Sequence, residues 1–270
     1  MSAHELGADR VRRDDAEPDA LAVPATLPPD ALHRLAAGTI ELVGRMPHAS
    51  NGTFLVRIDD PAEPERGDHG DPWGLAIYKP ERGERPLWDF EPGLYRRETA
   101  AYRLGVAAGI DVVPPTVVRS DAPLGEGSLQ WFVNADFSEH YFSLVESRAD
   151  LVEQFMDIAV FDVLANNTDR KSGHCLLEAA TDRVWAIDNG LCFAAEFKLR
   201  TVIWEFAGDP LPARLETLVR RLAERGVGDD VAELLAADEV AAIVRRAERL
   251  AARGSFPVDR SGRGYPWPLV

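Results

Sequence analysis

Cysteine is nearly absent from this chain: Cys175 and Cys192 are the two among 270 residues. They form no C-x-x-C pair, and Cys175 directly follows His174 without zinc-like spacing, so neither a disulfide framework nor a structural zinc is expected. That usage fits a reducing cytoplasm. Long apolar runs are missing too, since no stretch reaches the ~18 apolar residues of a membrane span. The N-terminal residues mix both charges and lack the apolar core of a signal peptide. Neither a stable membrane anchor nor secretion is therefore expected. Basic residues are outnumbered, with 30 Lys and Arg against 45 Asp and Glu and a net charge of −15. Such a field repels phosphate backbones and anionic headgroups at long range, which argues against nucleic acid as a partner. It does not bar a metal–nucleotide from one cleft, because local lysines and bound cations reverse the field there.

What is present reads as a folded chain. The apolar fraction of 46% and the charged fraction of 28% are ordinary for globular proteins. The length allows a two-lobed unit with a cleft. Residues 1–29 are polar, then rich in Pro and Ala, and read as a flexible arm. A helix from Asp30 precedes a β-hairpin around His48 to Gly52, and residues 59–72 combine Pro, Gly and acids as an exposed loop. Further strands are expected over 73–80, 112–119 and 129–134, with a helix between the first two. That helix carries Leu94, Ala101, Leu104 and Ala108 on one face and stops at Gly109. The second half holds a long helical pattern over 150–167, two short apolar runs that suit a hairpin, and helices over 211–253 broken at Gly226 to Gly228. The expected layout is α+β: a β-rich N-lobe over 30–133, a helical C-lobe over 134–270, and a cleft between them.

Polar residues crowd into "LANNTDRKSGHCLL", where Asn166 to His174 interrupt two apolar segments. Nineteen residues after Asp169, Asp188 stands at the end of the apolar run "VWAID". A carboxylate there is costly to bury unless a cation or hydrogen-bond donors satisfy it. Phosphoryl transfer accounts for both acids. It needs one carboxylate to orient the attacking hydroxyl, another to hold a divalent metal, and a cation on the nucleotide phosphates. Asp169, Asp188 and Lys79 fit those roles, and Glu98 lies in the following helix at a distance suited to pairing with Lys79. The order Lys, Glu, Asp, Asp is that of protein-kinase-like folds.

The segments "FDVLANNTDRKSGHCLL" and "WAIDNGLCF" resemble the catalytic and metal-binding segments of the phosphatidylinositol 3- and 4-kinase-like family, nearest to the type II 4-kinases. From about residue 40 to 270 the chain looks like an actinobacterial branch of that family, with "YKPERGERPLWDF" and "LYRRETAAYRL" as further signatures. The resemblance implies a two-lobed protein-kinase-like fold that uses ATP with Mg²⁺ or Mn²⁺. Under it, Asp169 is the catalytic-loop aspartate, Asp188 the metal-binding aspartate, Lys79 the phosphate-contacting lysine and Glu98 its partner. Ser50, Asn51 and Gly52 form the tip of the phosphate-covering loop. Gln130, Trp131 and Phe132 enter the hinge beside the adenine. Two positions depart from the pattern. His174 stands where a metal-binding Asn is usual, and imidazole suits Mn²⁺ better than Mg²⁺. Lys171 matches the D-x-K spacing of protein kinases and replaces the Gly of type II lipid kinases. No Cys-rich palmitoylation motif is present, which ranks a lipid below a protein or small-molecule hydroxyl as acceptor. The expected activity is a metal-dependent phosphotransferase; a nucleotide-binding pseudokinase and a kinase-fold AMP transferase are the alternatives.

Overall fold

The computed structural model describes residues 26–47, 49, 51–62 and 73–270. Most of the expected arm, and His48 and Ser50 of the expected hairpin tip, lie outside the described residues. The first helix, α1 (Ala31–Ala37), is short and held by an Arg34–Asp30 ion pair at 3.0 Å across one turn. Its buried residues Ala31 and Leu35 recur at helical spacing and face a sheet. Five antiparallel strands build that sheet: β1 (Thr39–Arg45), β2 (Phe54–Asp59), β3 (Gly74–Pro80), β4 (Thr116–Arg119) and β5 (Gly127–Trp131). Their order is β1-β2-β3-β5-β4. Strand alternation divides the sheet by face. Val56, Ile58, Ala76, Tyr78, Leu129 and Trp131 pack with Ala31 and Leu35. The intervening Ile77, Lys79 and Gln130 line a cleft on the other side.

Between β3 and β4 runs α2 (Leu94–Ala108), whose Ala-rich sequence favours helix and ends at Gly109 in the left-handed region, φ +69°. Leu94, Ala101, Leu104 and Ala108, the face expected from the sequence, are all buried. Although α2 lies between two strands of the sheet in sequence, Ala100, Ala101 and Leu104 join the large core of the second lobe.

That lobe is helical. A short α3 (Tyr141–Ser147), absent from the sequence-based expectation, is capped by an unusual residue, His140, whose Nδ1 accepts from the Ser143 N–H at 3.4 Å. The long α4 (Val152–Ala165) is apolar almost all round and buries Phe155, Ile158, Val160 and Phe161, as a central core helix must. A two-stranded hairpin follows, β6 (Cys175–Glu178) with β7 (Arg183–Ala186), and then α5 (Ala213–Arg225), α6 (Asp229–Ala232) and α7 (Ala237–Arg253). Leu215, Val219 and Leu222 of α5 and Ile243, Ala247 and Leu250 of α7 close the core around α4. Each fully buried Leu, Ile or Phe contributes about 1.5–3 kcal/mol. Among the described residues no helix is long and apolar enough to cross a membrane. A β-sheet lobe and a helical lobe thus face each other across a cleft, the α+β layout expected.

Close packing fixes where Lys79 sits. Gly127 pairs with Pro80 in the sheet, and a Cβ added to it would meet the Lys79 carbonyl at 2.5 Å and the Pro80 Cα at 2.7 Å. Gly127→Ala should therefore destabilise the protein by about 1–3 kcal/mol through overpacking; chemical denaturation of both proteins measures it, and an unchanged midpoint would contradict the tight β3–β5 fit.

Candidate active site

The cleft has a volume of about 730 Å³ and is lined from the sheet by Ile77, Lys79 and Gln130 and from the helical lobe by Asp169, His174 and Asp188. Lys79 leaves β3 on the cleft face. Its Nζ pairs with Glu98 Oε1 and lies 2.7 Å from Asp188 Oδ1. Burial disfavours the ammonium, but Asp188 and Glu98 outweigh it and raise the Lys79 pKa, so the lysine stays charged. The same ammonium holds the Asp188 carboxyl well below the usual carboxylate range. Glu98 is buried, which pushes its carboxyl up against the pull of Lys79. Its second oxygen accepts the Asn189 N–H at 3.0 Å. The start of α2 is fixed by Glu84, whose carboxylate accepts from the N–H groups of Gly93 (2.9 Å) and Tyr95 (2.8 Å) and so satisfies donors at the helix N-terminus.

The loop carrying Asp169 begins where α4 ends. Asn166 adopts the left-handed region at φ +52°, and its backbone N–H closes on the Asp162 and Val163 carbonyls. Its amide ties this turn to the segment after Asp188, donating to the Ala194 and Glu196 carbonyls and accepting from the Lys198 N–H. Asn167 Oδ1 accepts the Asp169 N–H at 2.9 Å. The Asp169 carboxylate faces the cleft with Lys171 Nζ at 3.3 Å. Burial raises its pKa, opposed by Lys171, which is the direction wanted in a proton acceptor.

Asp188 is half-exposed, at 50%, and its backbone takes the left-handed region at φ +57°, a strained state for a non-glycine residue. His174 stands behind it, with Nε2 3.3 Å from Asp188 Oδ2. The other ring nitrogen, Nδ1, accepts from the Lys171 N–H at 3.4 Å. Burial pushes the His174 pKa down to about 4, so the ring is neutral at pH 7. With Nδ1 acting as acceptor, the ring proton belongs on Nε2, facing the carboxylate. As arranged, His174 offers Asp188 a donor and keeps no ring lone pair free. Among the described residues no three His, Cys, Asp or Glu side chains gather as a metal-holding set; Asp169 and Asp188 are the two aspartates that line the cleft.

Beneath the cleft lies a network that the sequence reading did not anticipate. Asp162 of α4 and Arg170 are both fully buried and form a bidentate ion pair, with Arg170 Nε 3.1 Å from each Asp162 oxygen and Nη2 3.0 Å from Oδ1. Thr201 and Asn167 donate to the same carboxylate. Arg170 also donates to the Ile187 carbonyl and to Asn189 Oδ1, both at 2.6 Å. A signal existed in the sequence. An acid inside the apolar "AVFDVLA" of a core helix requires a buried partner.

Other expected contacts divide. Asn51 and Gly52 border the cleft but are tied to the turn after β3. The Gly52 N–H donates to the Gly83 carbonyl at 2.8 Å, and Asn51 Oδ1 accepts the Arg85 N–H at 3.0 Å. Ser50 lies outside the described residues. Gln130 faces the cleft, and its amide donates to Thr116 Oγ1 at 3.0 Å. Phe132 borders the cleft and packs near Phe137, with ring centroids 6.1 Å apart. The Trp131 ring packs on the far face of the sheet. Trp131 pairs with Ala76 and shares its face, turned away from Lys79, and a Cβ on Gly74 would strike the indole at 2.4 Å. Trp131 is still among the residues that line the cleft. Val133, unremarked in the sequence, lines the cleft beside it.

The fold has counterparts among known proteins. Two solved structures share the fold at low identity: hydra Fam20, solved with sugar, at a TM-score of 0.54 and 13% identity over 83% of this chain and 86% of that one, and the Helicobacter pylori proinflammatory kinase CtkA, at 0.50 and 11% over 82% and 97%. Residues 108–224 match the family described as phosphatidylinositol 3- and 4-kinase. Protein Rv2133c of Mycobacterium tuberculosis is 35% identical over 281 residues, spanning 90% of this chain and 96% of the relative. The Asp169 loop and the segment carrying Asp188 both fall within the matched span, and by these matches the chain belongs to the phosphatidylinositol 3- and 4-kinase-like family.

Proposed function

We propose that the protein is an ATP- and metal-dependent phosphotransferase acting on a protein or small-molecule hydroxyl. One observation carries this reading: Lys79 Nζ bridges Glu98 and Asp188 on the wall of a cleft into which Asp169 also projects. Phosphoryl transfer is catalysed mainly by positioning and by charge stabilisation, and this set supplies both. Lys79 would hold nucleotide phosphate through a charge-assisted hydrogen bond, with Glu98 fixing its reach. Asp188 would hold a divalent cation, with His174 orienting the carboxylate from behind. When bound, that cation neutralises charge developing on the phosphate oxygens. Asp169, its pKa raised by burial, would accept the proton of the acceptor hydroxyl, and Lys171 beside it would face the transferred group. The backbone of residues 131–133 would border the adenine.

A second reading is a nucleotide-binding pseudokinase. It is favoured by His174, whose two nitrogens are engaged and which therefore leaves Asp188 with fewer metal partners than an Asn would. The position of a radiolabel separates the outcomes. Transfer of the γ-label to a product supports the kinase, transfer of the α-label an AMP transferase, and binding without turnover the pseudokinase.

Mg²⁺–ATP or Mn²⁺–ATP at millimolar concentration should raise the melting temperature, because a ligand that binds only the native state stabilises it by mass action. In Asp188→Ala the metal-dependent part of that rise should vanish. No shift in the wild-type protein with either metal would overturn the nucleotide site. Asp169→Asn should keep nucleotide binding and lose roughly 10²–10⁴-fold in turnover, the usual weight of a positioned acid or base. A wild-type rate in that variant would remove Asp169 from the chemistry. His174→Asn should shift the ratio of turnover with Mn²⁺ to that with Mg²⁺ toward Mg²⁺ if the imidazole ligates, and leave the ratio unchanged if it only orients Asp188. The hydrogen bonding described above leads us to expect an unchanged ratio.

A further inference from the structure

Asn189 follows the metal-side carboxylate directly, and its side chain is fully buried. Every polar group it presents inward is used. Its backbone N–H donates to Glu98 Oε2 at 3.0 Å, its Oδ1 accepts from Arg170 Nη2 at 2.6 Å, and its Nδ2 donates to the Ala186 carbonyl at 3.1 Å. Glu98 belongs to α2 and pairs with Lys79, whereas Arg170 belongs to the loop that carries Asp169. Among the described residues, Asn189 alone bonds to both. The neighbouring residues tighten the junction. The Ile187 carbonyl accepts from Arg170, and Gly190 lies so close to α2 that an added Cβ would meet Glu98 Oε1 at 3.3 Å. Between these two anchored residues sits Asp188 with its left-handed backbone, so the strain there is held by Glu98 on one side and Arg170 on the other.

We infer that Asn189 is a positioning residue that couples the Lys79–Glu98 grip to the Asp169 loop. This rests on the nucleotide-site reading above and extends it: ordering of Lys79 and Glu98 by a nucleotide passes through the Asn189 backbone and amide to Arg170, and so to the loop one residue away from Asp169. Buried hydrogen bonds of this kind have discrete made and broken states, which is what allows two sites to bias one another. A residue that merely filled space would stabilise both regions without linking them.

The test is hydrogen–deuterium exchange on the full chain with and without Mn²⁺–ADP. It compares the hydrogen-bonded amides of residues 166–170 with those of β3 and α2. In the wild-type protein both regions should gain protection, the loop by about tenfold, an ordinary size for coupling between sites. Asn189→Ala should keep the gain in β3 and α2 and lose most of it, to less than about twofold, in residues 166–170. Asn189→Asp is isosteric and keeps an acceptor oxygen for Arg170, so it should restore the loop response. If Asn189→Ala does not fold, Asn189→Ser, too short to reach Arg170, takes its place in the comparison. Loop protection in Asn189→Ala equal to wild type, or its equal loss in Asn189→Asp, would overturn the coupling while leaving the nucleotide site intact. Absence of protection anywhere in the wild-type protein would overturn both.

Discussion

The site depends on one buried ion pair. Asp162 sits in the middle of an apolar helix and Arg170 in the loop that follows, and neither is exposed to solvent. Two charges removed from water are stable only when geometry and further hydrogen bonds compensate their lost hydration, and breaking such a pair by removing one partner typically costs about 3–5 kcal/mol. Here the compensation is thorough, with Thr201 and Asn167 completing the carboxylate and the Ile187 carbonyl and Asn189 completing the guanidinium. The pair is weak as a source of stability but strong as a source of specificity. These bonds tie α4, the Asp169 loop and the segment on either side of Asp188 to one another.

The lobes meet through the same economy. Lys79 comes from the sheet, Glu98 from α2 and Asp188 from the helical lobe, and the ammonium between the two acids holds the three elements in register. Because α2 also contributes Ala100 and Leu104 to the core of the helical lobe, Glu98 is carried by a helix that packs with that lobe. The acidic surface of the chain and the charge balance of the cleft are therefore separate matters. Long-range repulsion of anions and a locally retained lysine coexist because salt screens the exposed charges from the cleft, whereas Lys79 and its two acids are close together and screened little.

Much of this was legible in the sequence, for identifiable reasons. Lys79 and Asp188 end apolar runs of sequence, where a charge stands out, and Asp169 lies in a run of polar residues too dense for an ordinary turn. Glu98 was found by its spacing from Lys79 together with the family resemblance. What escaped was whatever depended on pairing between distant segments. The face occupied by Trp131 follows from its register opposite Ala76, and no local pattern fixes how β5 lies against β3. Asn189 reads as a turn residue beside Gly190 until Arg170 and Glu98 are seen to converge on it. The helix α3 escaped because its cap is a histidine, which carries no start signal of the Ser, Thr, Asp or Asn kind.

The contact between Gly52 and Gly83 bears on the timing of traffic through the cleft. Their backbones approach so closely that a Cβ on Gly52 would lie 2.9 Å from the Gly83 Cα, and the Gly52 N–H is bonded to the Gly83 carbonyl. The described part of the β1–β2 connection is thereby fastened to the turn that extends Lys79's own strand. Free surface loops fluctuate in nanoseconds to microseconds, whereas displacements of whole lobes take microseconds to milliseconds. Fastened to the turn after β3, the described part of this connection moves with the sheet and not as a free loop, so its motion follows the slower of these two clocks.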